Sequence, residues 1–275
     1  MKKHKVSFLM TIYNHQNYLK DSITSIINQS YKNWELIAID NGSTDSSRKV
    51  LKNIKNKKIK NFFLKNNIGR TNCLNFGLKK CSGNFIAILD SDDIAHKDRI
   101  KTQLNEFRLD KELYMVATDF NYIDQKKRII SYPKLKTSLT KNLYVRPRIF
   151  LSNNLFAHSS VMYRRSVIKK VGGYPSKFLY SQDYAFYLKI FQKYKIKFLN
   201  KKLVNLRAPH GKSESVRILS SNTETKEHIM LLVSNISNFN TSLYEKFLIL
   251  TKLCIKIAKI CAPKSLINKR FKILN

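Results

Sequence analysis

Carboxylates are scarce in this chain and unevenly placed. Only 18 of its 275 residues are Asp or Glu, yet three stand within four positions in "IAILDSDD", residues 86–93: Asp90, Asp92 and Asp93. Like charges this close repel one another unless something neutralises them. Asp is a good helix N-cap, so one of the three can open a helix expected to begin near His96. A cap uses one carboxylate, not three. Hard divalent cations, Mg2+ or Mn2+, take oxygen ligands and are often held by one or two carboxylates plus a substrate's phosphates. Asp-x-Asp alone is short and common, so a metal site and a helix cap both remain open at this point.

The elements that must position these groups alternate between two periods over the first 118 residues. "VSFLMT" (6–11), "WELIAID" (34–40), "NFFL" (61–64), "NFIAIL" (84–89) and "YMVAT" (114–118) are apolar runs of strand length. Between them Leu19, Ile23, Ile26 and Ile27, then Val50, Leu51 and Ile54, then Leu74, Leu78 and Cys81, then Ile100, Leu104 and Phe107 recur at helical spacing. Such alternation predicts a parallel sheet with helices on both faces, its strands buried on both sides. Ligands of such sheets bind beyond the carboxyl ends of the strands. Thr11 and Tyr13 fall at the end of the first run, Asp40 at the end of the second, and the Asp cluster after the fourth. Further on, "AHSSVMYRR" (157–165) reads as a strand and "SVIKKVGGY" as a helix closed by Gly172 and Gly173. "QDYAFYLKIFQKY" (182–194) reads as a helix, "KFL" and "LVNLR" as two short strands, and the chain from about residue 216 as helical.

In this order and spacing, "SFLMTIYN", "ELIAIDNGSTD", "NIGRTNCLNFG" and "GNFIAILDSDD" together resemble the nucleotide-sugar-binding domain of family 2 glycosyltransferases. "AHSSVMYRRSVIKKVGGYPSKFLYSQDYAFYLKI" is similar to the acceptor-side region of that family, and "RAPHGKSES" to its Arg-x-x-His-x-x-Ser-x-Ser segment. The resemblance covers roughly residues 5 to 215. It implies a GT-A fold, a Rossmann-like, mostly parallel α/β sheet, and a division of the chain. Residues 1–215 would form the catalytic domain, with 1–118 the nucleotide-sugar half and 119–215 the acceptor half; 216–275 would be a basic C-terminal helical extension.

The resemblance also implies roles. Asp40 accepts a hydrogen bond from the nucleotide base; Thr11, Tyr13 and Asn14 line the base and ribose pocket; Arg70 lies near the base or diphosphate; Asp90 contacts the ribose. Asp92 coordinates a Mn2+ or Mg2+ ion bridging two phosphates, and His210 approaches the metal or diphosphate from a loop. Asp183, in "SQDY", stands where the family has its catalytic base. The implied activity is inverting transfer of a sugar from a nucleotide-sugar donor, a UDP-sugar by expectation, to a hydroxyl of a glycan or lipid-linked acceptor in cell-surface polysaccharide synthesis. The sequence departs from the family pattern at Thr11 (usually Pro), Ile12 (Thr), Asn41 (Asp) and Gln182 (Glu). His158 reads either as a satisfied, partly buried ring or as an acceptor contact.

Fifty-two Lys and Arg give a formal net charge of +34. Such a charge attracts polyanions, but the lysines are scattered along the chain and also read as solvated surface. No zinc finger, aromatic RNP pattern or helix-turn-helix signature accompanies them, so no specific nucleic acid is expected. A nucleic-acid binder and a catalytically inactive sugar-nucleotide binder are the rival readings. The four Cys show no metal or disulfide spacing and read as free thiols. The opening apolar run is too short for a signal-peptide core, and no run of 18 apolar residues is present. A cytoplasmic protein is expected. Its basic tail (242–275) has Phe247, Leu250, Cys254, Ile257 and Cys261 on one stripe, which could rest peripherally on the anionic inner face of the membrane or pack on the domain.

Overall fold

A computed structural model of the chain describes residues 4–131, 141–146, 150–151, 154–208, 222–239 and 242–261. Two compact units divide it: residues 1–145 with 155–208, and residues 146–154 with 209–275.

The larger unit is built on one mixed sheet. Strands β1 (Val6–Ile12), β2 (Trp34–Asp40), β3 (Ile59–Phe63) and β4 (Phe85–Ile88) lie in the order β3-β2-β1-β4, all parallel. Each is joined to the next by a helix: α1 (Leu19–Ile27), α2 (Ser47–Asn53) and α3 (Arg70–Lys80). Every residue of β2 is buried, as expected of a strand covered on both faces. Phe8, Met10 and Ile12 of β1 share one apolar cluster with Leu19, Ile23 and Ile26 of α1. Helix α3 packs on the alternate face of β1 and β2, where an added Cβ on Gly77 would strike Leu9.

Beyond β4 the sheet continues through β6 (Leu113–Ile123) and β10 (Lys195–Arg207), which pair in parallel and run in the direction of β1–β4. Between β4 and β6 lies the short strand β9 (Met162–Arg164), antiparallel to both. Two-residue strands β5 (Ile94–Ala95), β7 (Ile129–Ile130) and β8 (Leu143–Tyr144) add antiparallel trim. The six long strands therefore share one direction, and the expected mostly parallel sheet holds. Helices α4 (Arg99–Leu109), α5 (Ser166–Val171) and α6 (Gln182–Phe191) complete this unit.

Two sequence expectations change. Of "AHSSVMYRR" only residues 162–164 pair in the sheet, because His158–Ser160 coil into a 3-10 turn. "KFL" and "LVNLR" are one strand, not two. Exposed Asn200–Lys202 break its inward–outward alternation, and the register with β6 shifts there, a bulge rather than a turn.

The second unit holds α7 (Asn222–Asn238) and α8 (Leu243–Cys261), which pack on each other. Leu231, Leu232 and Ile249 are buried, and Asn235 Nδ2 donates to the Leu151 carbonyl at 2.7 Å. Phe247, Leu250, Cys254 and Ile257 are all exposed. Among the described residues no helix is long and apolar enough to cross a membrane. Cys73, Cys81 and Cys254 are free thiols, and burial pushes the first two up to about 12.

Candidate active site

The carboxyl ends of β1, β2, β4, β6 and β10 converge on one edge of the sheet, and the candidate residues sit there. Asp40, the last residue of β2, is fully buried. Its Oδ2 accepts from Arg48 Nε at 2.6 Å and from the Ser43 amide at 3.3 Å. Its Oδ1 is buried and has no hydrogen-bond partner among the described residues. A buried carboxylate oxygen left unpaired is costly, and a donor supplied by a ligand would relieve it.

Thr11 lies inside β1, half-buried, two residues before the strand gives way to the loop at Tyr13. Ile12 points into the apolar core, so the hydroxyl missing there is replaced by packing. Tyr13 is exposed. Asn14 takes a left-handed backbone, φ 56°, and its Oδ1 accepts from the Thr44 amide at 2.8 Å. Its side chain thus knits the β1–α1 loop to the β2–α2 loop. Asn41 donates through Nδ2 to Asn67 Oδ1 at 2.9 Å and accepts the Ile68 amide at 3.0 Å. A carboxylate could not make the first bond, which accounts for Asn in place of Asp.

The three clustered carboxylates have separate fates. Asp90 receives Arg70 Nη2 at 2.8 and 2.7 Å on its two oxygens. Burial works to raise its pKa, but the Arg70 charge and the His158 contact overcome this and hold it well below the usual carboxylate range. Asp93 is buried: Oδ2 accepts the Ser159 hydroxyl and Oδ1 the Arg207 amide at 2.9 Å, joining the end of β4 to the end of β10. Burial, then the charges of Asp92 and Asp90, push Asp93 well up. Among the described residues, no other residue donates to the Asp92 carboxylate. Burial raises its pKa too; His15 pulls against this and Asp90 adds to it. Arg207 also donates from Nε to the Asp92 carbonyl at 3.1 Å, fixing the backbone beneath that side chain.

These residues test the fit of a divalent cation. Among the described residues no three His, Cys, Asp or Glu side chains group as a complete metal cage. One carboxylate to which no other described residue donates, beside two that are committed, suits instead an ion completed by phosphate oxygens. His210, the other expected ligand, lies outside the described residues.

Asp183 is the second residue of α6, after the N-cap Ser181, and its Oδ1 accepts the Tyr184 amide at 2.7 Å. Its charge and that of Asp90 both act on the buried hydroxyls of Tyr174 and Tyr187, whose pKa values rise through burial first and then these charges. Three participants escape the sequence reading. Arg48 carries no pattern linking it to Asp40; Ser159 reaches Asp93 from 66 residues away. His15, whose Nδ1 lies 2.6 Å from Ser91 Oγ, was readable only as the residue after "TIYN".

A parallel donor-type half sheet, a carboxylate-lined edge and a reversed inserted strand define a GT-A glycosyltransferase. Residues 7–172 match the pattern of "Glycosyl transferase family 2". The chain is 38% identical over 185 residues to an uncharacterized glycosyltransferase of Haemophilus influenzae, covering 66% of this chain and 70% of that one. It is 31% identical over 191 residues to the O-antigen biosynthesis glycosyltransferase WbnJ of Escherichia coli, covering 67% and 71%. Among solved structures it is similar to S. aureus TarS 1-349 in complex with UDP-GlcNAc, with TM-score 0.71, 20% identity, and 93% and 73% coverage. It is also similar to the mannosyltransferase PcManGT from Pyrobaculum calidifontis in complex with GDP-Man and Mn2+, with TM-score 0.64, 13% identity, and 99% and 81% coverage. The chain belongs to glycosyltransferase family 2; it is a nucleotide-sugar-dependent glycosyltransferase.

Proposed function

We propose that this glycosyltransferase is metal-dependent and inverting, and moves a sugar from a UDP-sugar to a hydroxyl of a glycan or lipid-linked acceptor in cell-surface polysaccharide synthesis. One observation carries the reading. Of three clustered carboxylates at the end of β4, Asp90 and Asp93 are committed to other residues, while among the described residues no other residue donates to Asp92. The relatives support the class of substrate: TarS has been solved with UDP-GlcNAc, PcManGT with GDP-Man and Mn2+, and WbnJ is named for O-antigen biosynthesis.

In this reading the Oδ1 of Asp40 accepts an N–H of the base, and Thr11 at the end of β1 with Tyr13 and Asn14 walls the base and ribose. Asp90, pinned by Arg70, faces the ribose. Asp92, with His210 as a second candidate, would hold Mn2+ or Mg2+, which when bound would offset the negative charge gathering on the leaving diphosphate. An acceptor hydroxyl is a poor nucleophile and needs a base; Asp183 takes its proton as the hydroxyl attacks C1 from the side opposite the diphosphate.

The exposed stripe of α8 supports a further contact. Phe247, Leu250, Cys254 and Ile257 face solvent, and residues 242–275 carry eight Lys or Arg against one Glu. An anionic membrane surface would take up both features, placing the enzyme peripherally beside a lipid-linked acceptor.

A hydrolysis screen of nucleotide sugars, reading free nucleoside diphosphate with and without Mn2+, tests the function. Metal-stimulated release from one donor, abolished in Asp92→Ala, is expected. Full activity in EDTA, or release unchanged in D92A, would overturn the metal assignment.

A further inference from the structure

We propose that His158 is a positioning residue of the donor site, locking the Arg70 guanidinium onto Asp90 and tying that pair to the segment that leads to Asp183. The proposal rests on the reading that the donor binds at this carboxylate edge.

Arg70 Nη2 lies 2.8 and 2.7 Å from the two Asp90 oxygens and 3.0 Å from His158 Nδ1. His158 Nδ1 also lies 3.3 Å from Asp90 Oδ1, so the ring touches both members of the pair: it accepts from Arg70 when Nδ1 carries no hydrogen and donates to Asp90 when it does. Nε2, on the other side of the ring, lies 3.1 Å from the Tyr174 hydroxyl, which can donate to it or accept from it. Tyr174 in turn meets the Tyr163 hydroxyl at 3.4 Å. His158, Tyr174 and Tyr163 are all buried, so these polar atoms look to one another rather than to bulk water.

The series crosses four separate stretches of chain. Asp90 follows β4, Arg70 opens α3, His158 begins the 3-10 turn before β9, and Tyr174 follows α5. Helix α3 then holds the far end. Asn75 bonds both backbone groups of Tyr174, and Thr71 Oγ1 donates to the Phe178 carbonyl at 2.8 Å. Arg70, Thr71 and Asn75 are on one helix, so the group that pins Asp90 and the groups that pin residues 174–178 move as one body. The imidazole closes this loop because one ring nitrogen meets the Arg70–Asp90 pair and the other meets Tyr174. A satisfied core histidine would need neither partner to be functional. Here one partner is the guanidinium that pins Asp90, and the other stands at the head of the segment 174–178 that leads to Asp183.

The test is a double-mutant cycle on nucleotide affinity. UDP and, in parallel, GDP are titrated by calorimetry with Mn2+ into the native protein, His158→Phe, His158→Gln, Arg70→Ala and the R70A/H158F pair. H158F should weaken binding about tenfold, the worth of a lost bond to a charged group. H158Q, whose amide can accept from Arg70 and donate to Tyr174, should recover to within about threefold of native. In the R70A background H158F should cost nothing further, because the ring acts through the guanidinium. Should H158F not fold, His158→Asn, too short to serve both sides, replaces it with the same expected loss. Native-like affinity in the folded H158F or H158N protein overturns the proposal. So does a loss of equal size with and without Arg70, which marks a purely structural ring. A native protein that binds neither nucleotide overturns the donor reading itself, and this proposal with it.

Discussion

Asn75 holds the peptide of Tyr174 at both ends. Its Oδ1 accepts the Tyr174 amide hydrogen at 2.9 Å, and its Nδ2 donates to the Tyr174 carbonyl at 2.8 Å. The approach is close enough that a Cβ on the preceding residue, Gly173, would stand 2.4 Å from Asn75 Oδ1. The two glycines of "VGGYP" thus have different duties. Gly172 closes α5 in a left-handed conformation, φ 80°, and Gly173 leaves room for the asparagine.

Gly173→Ala should therefore break the Asn75 grip, costing about 1–3 kcal/mol of stability. Gly172→Ala meets only the Lys189 ammonium, at an ordinary 3.9 Å, and costs backbone strain of about 1–2 kcal/mol. Denaturant melts give both values. Transfer activity separates them further: G173A should lose more at equal folded fraction, because the segment it loosens leads to Asp183. Equal activity in the two folded variants would remove the grip from the catalytic account.

Asp40→Asn should reduce UDP affinity by about 1–3 kcal/mol, as expected when a hydrogen bond to a charged group is lost. Arg48→Ala removes the partner of Oδ2 and leaves Oδ1 available, so it should cost UDP affinity less than D40N does. Calorimetry on both variants checks the order. Unchanged affinity in D40N would mean that the unpaired oxygen faces something other than the base.

Asp183→Asn preserves the shape and helix-start position of the side chain but cannot take a proton. Donor affinity should stay near native while turnover with a competent acceptor falls by about 10²–10⁴-fold. Turnover within a few-fold of native would send the proton elsewhere, and a joint collapse of affinity and turnover would make Asp183 structural.

At the opposite edge of the sheet, Glu35 is buried and receives Lys5, Lys60, Ser7 and Ser82. Burial works to raise its pKa, but these bonds overcome it and hold the carboxyl far below its ordinary 4.5. A depressed carboxyl contributes stability that is complete above the ordinary value and fades as pH falls toward the folded one. Glu35→Gln should thus cost roughly 2 kcal/mol at neutral pH, the low side for a buried pair because both lysines reach solvent. The gap between native and E35Q in urea melts should narrow as pH drops below 4.5. A gap constant with pH would show that the charge is not what stabilises.

Leu250→Glu puts a charge on the exposed stripe of α8, away from buried Ile249. The melting temperature and donor hydrolysis should hold, while sedimentation with anionic vesicles should weaken by about tenfold or more. Loss of fold instead would make the stripe a packing surface.

The donor half of the fold was legible because its strands are apolar runs that stop at polar residues. Asp40 ends one and the Asp cluster another, so their common edge follows from strand direction alone. The helical stripe at Phe247, Leu250, Cys254 and Ile257 was equally readable, but what it faces was not, since periodicity marks a face without naming its neighbour. The commitments of Asp90 and Asp93 were hidden as well. They are settled by Arg70, Ser159 and Arg207, which come from three distant parts of the chain. Strand β9 was blurred because three residues, "MYR", carry too little alternation to reveal direction. The β10 bulge was misread because a polar interruption looks like a turn when only the sequence is seen.

Strand β9 also sets an order of events during synthesis. When β4 leaves the ribosome its outer edge has no neighbour, and β6 cannot supply one, because the place between them belongs to residues 162–164. The nascent donor half therefore carries an open, apolar sheet edge until the chain has gone out through β6 and returned. Such an edge is a template for pairing with other chains. A fragment ending after β6 should aggregate, and residues 1–145 and 155–208 mature as one cooperative unit.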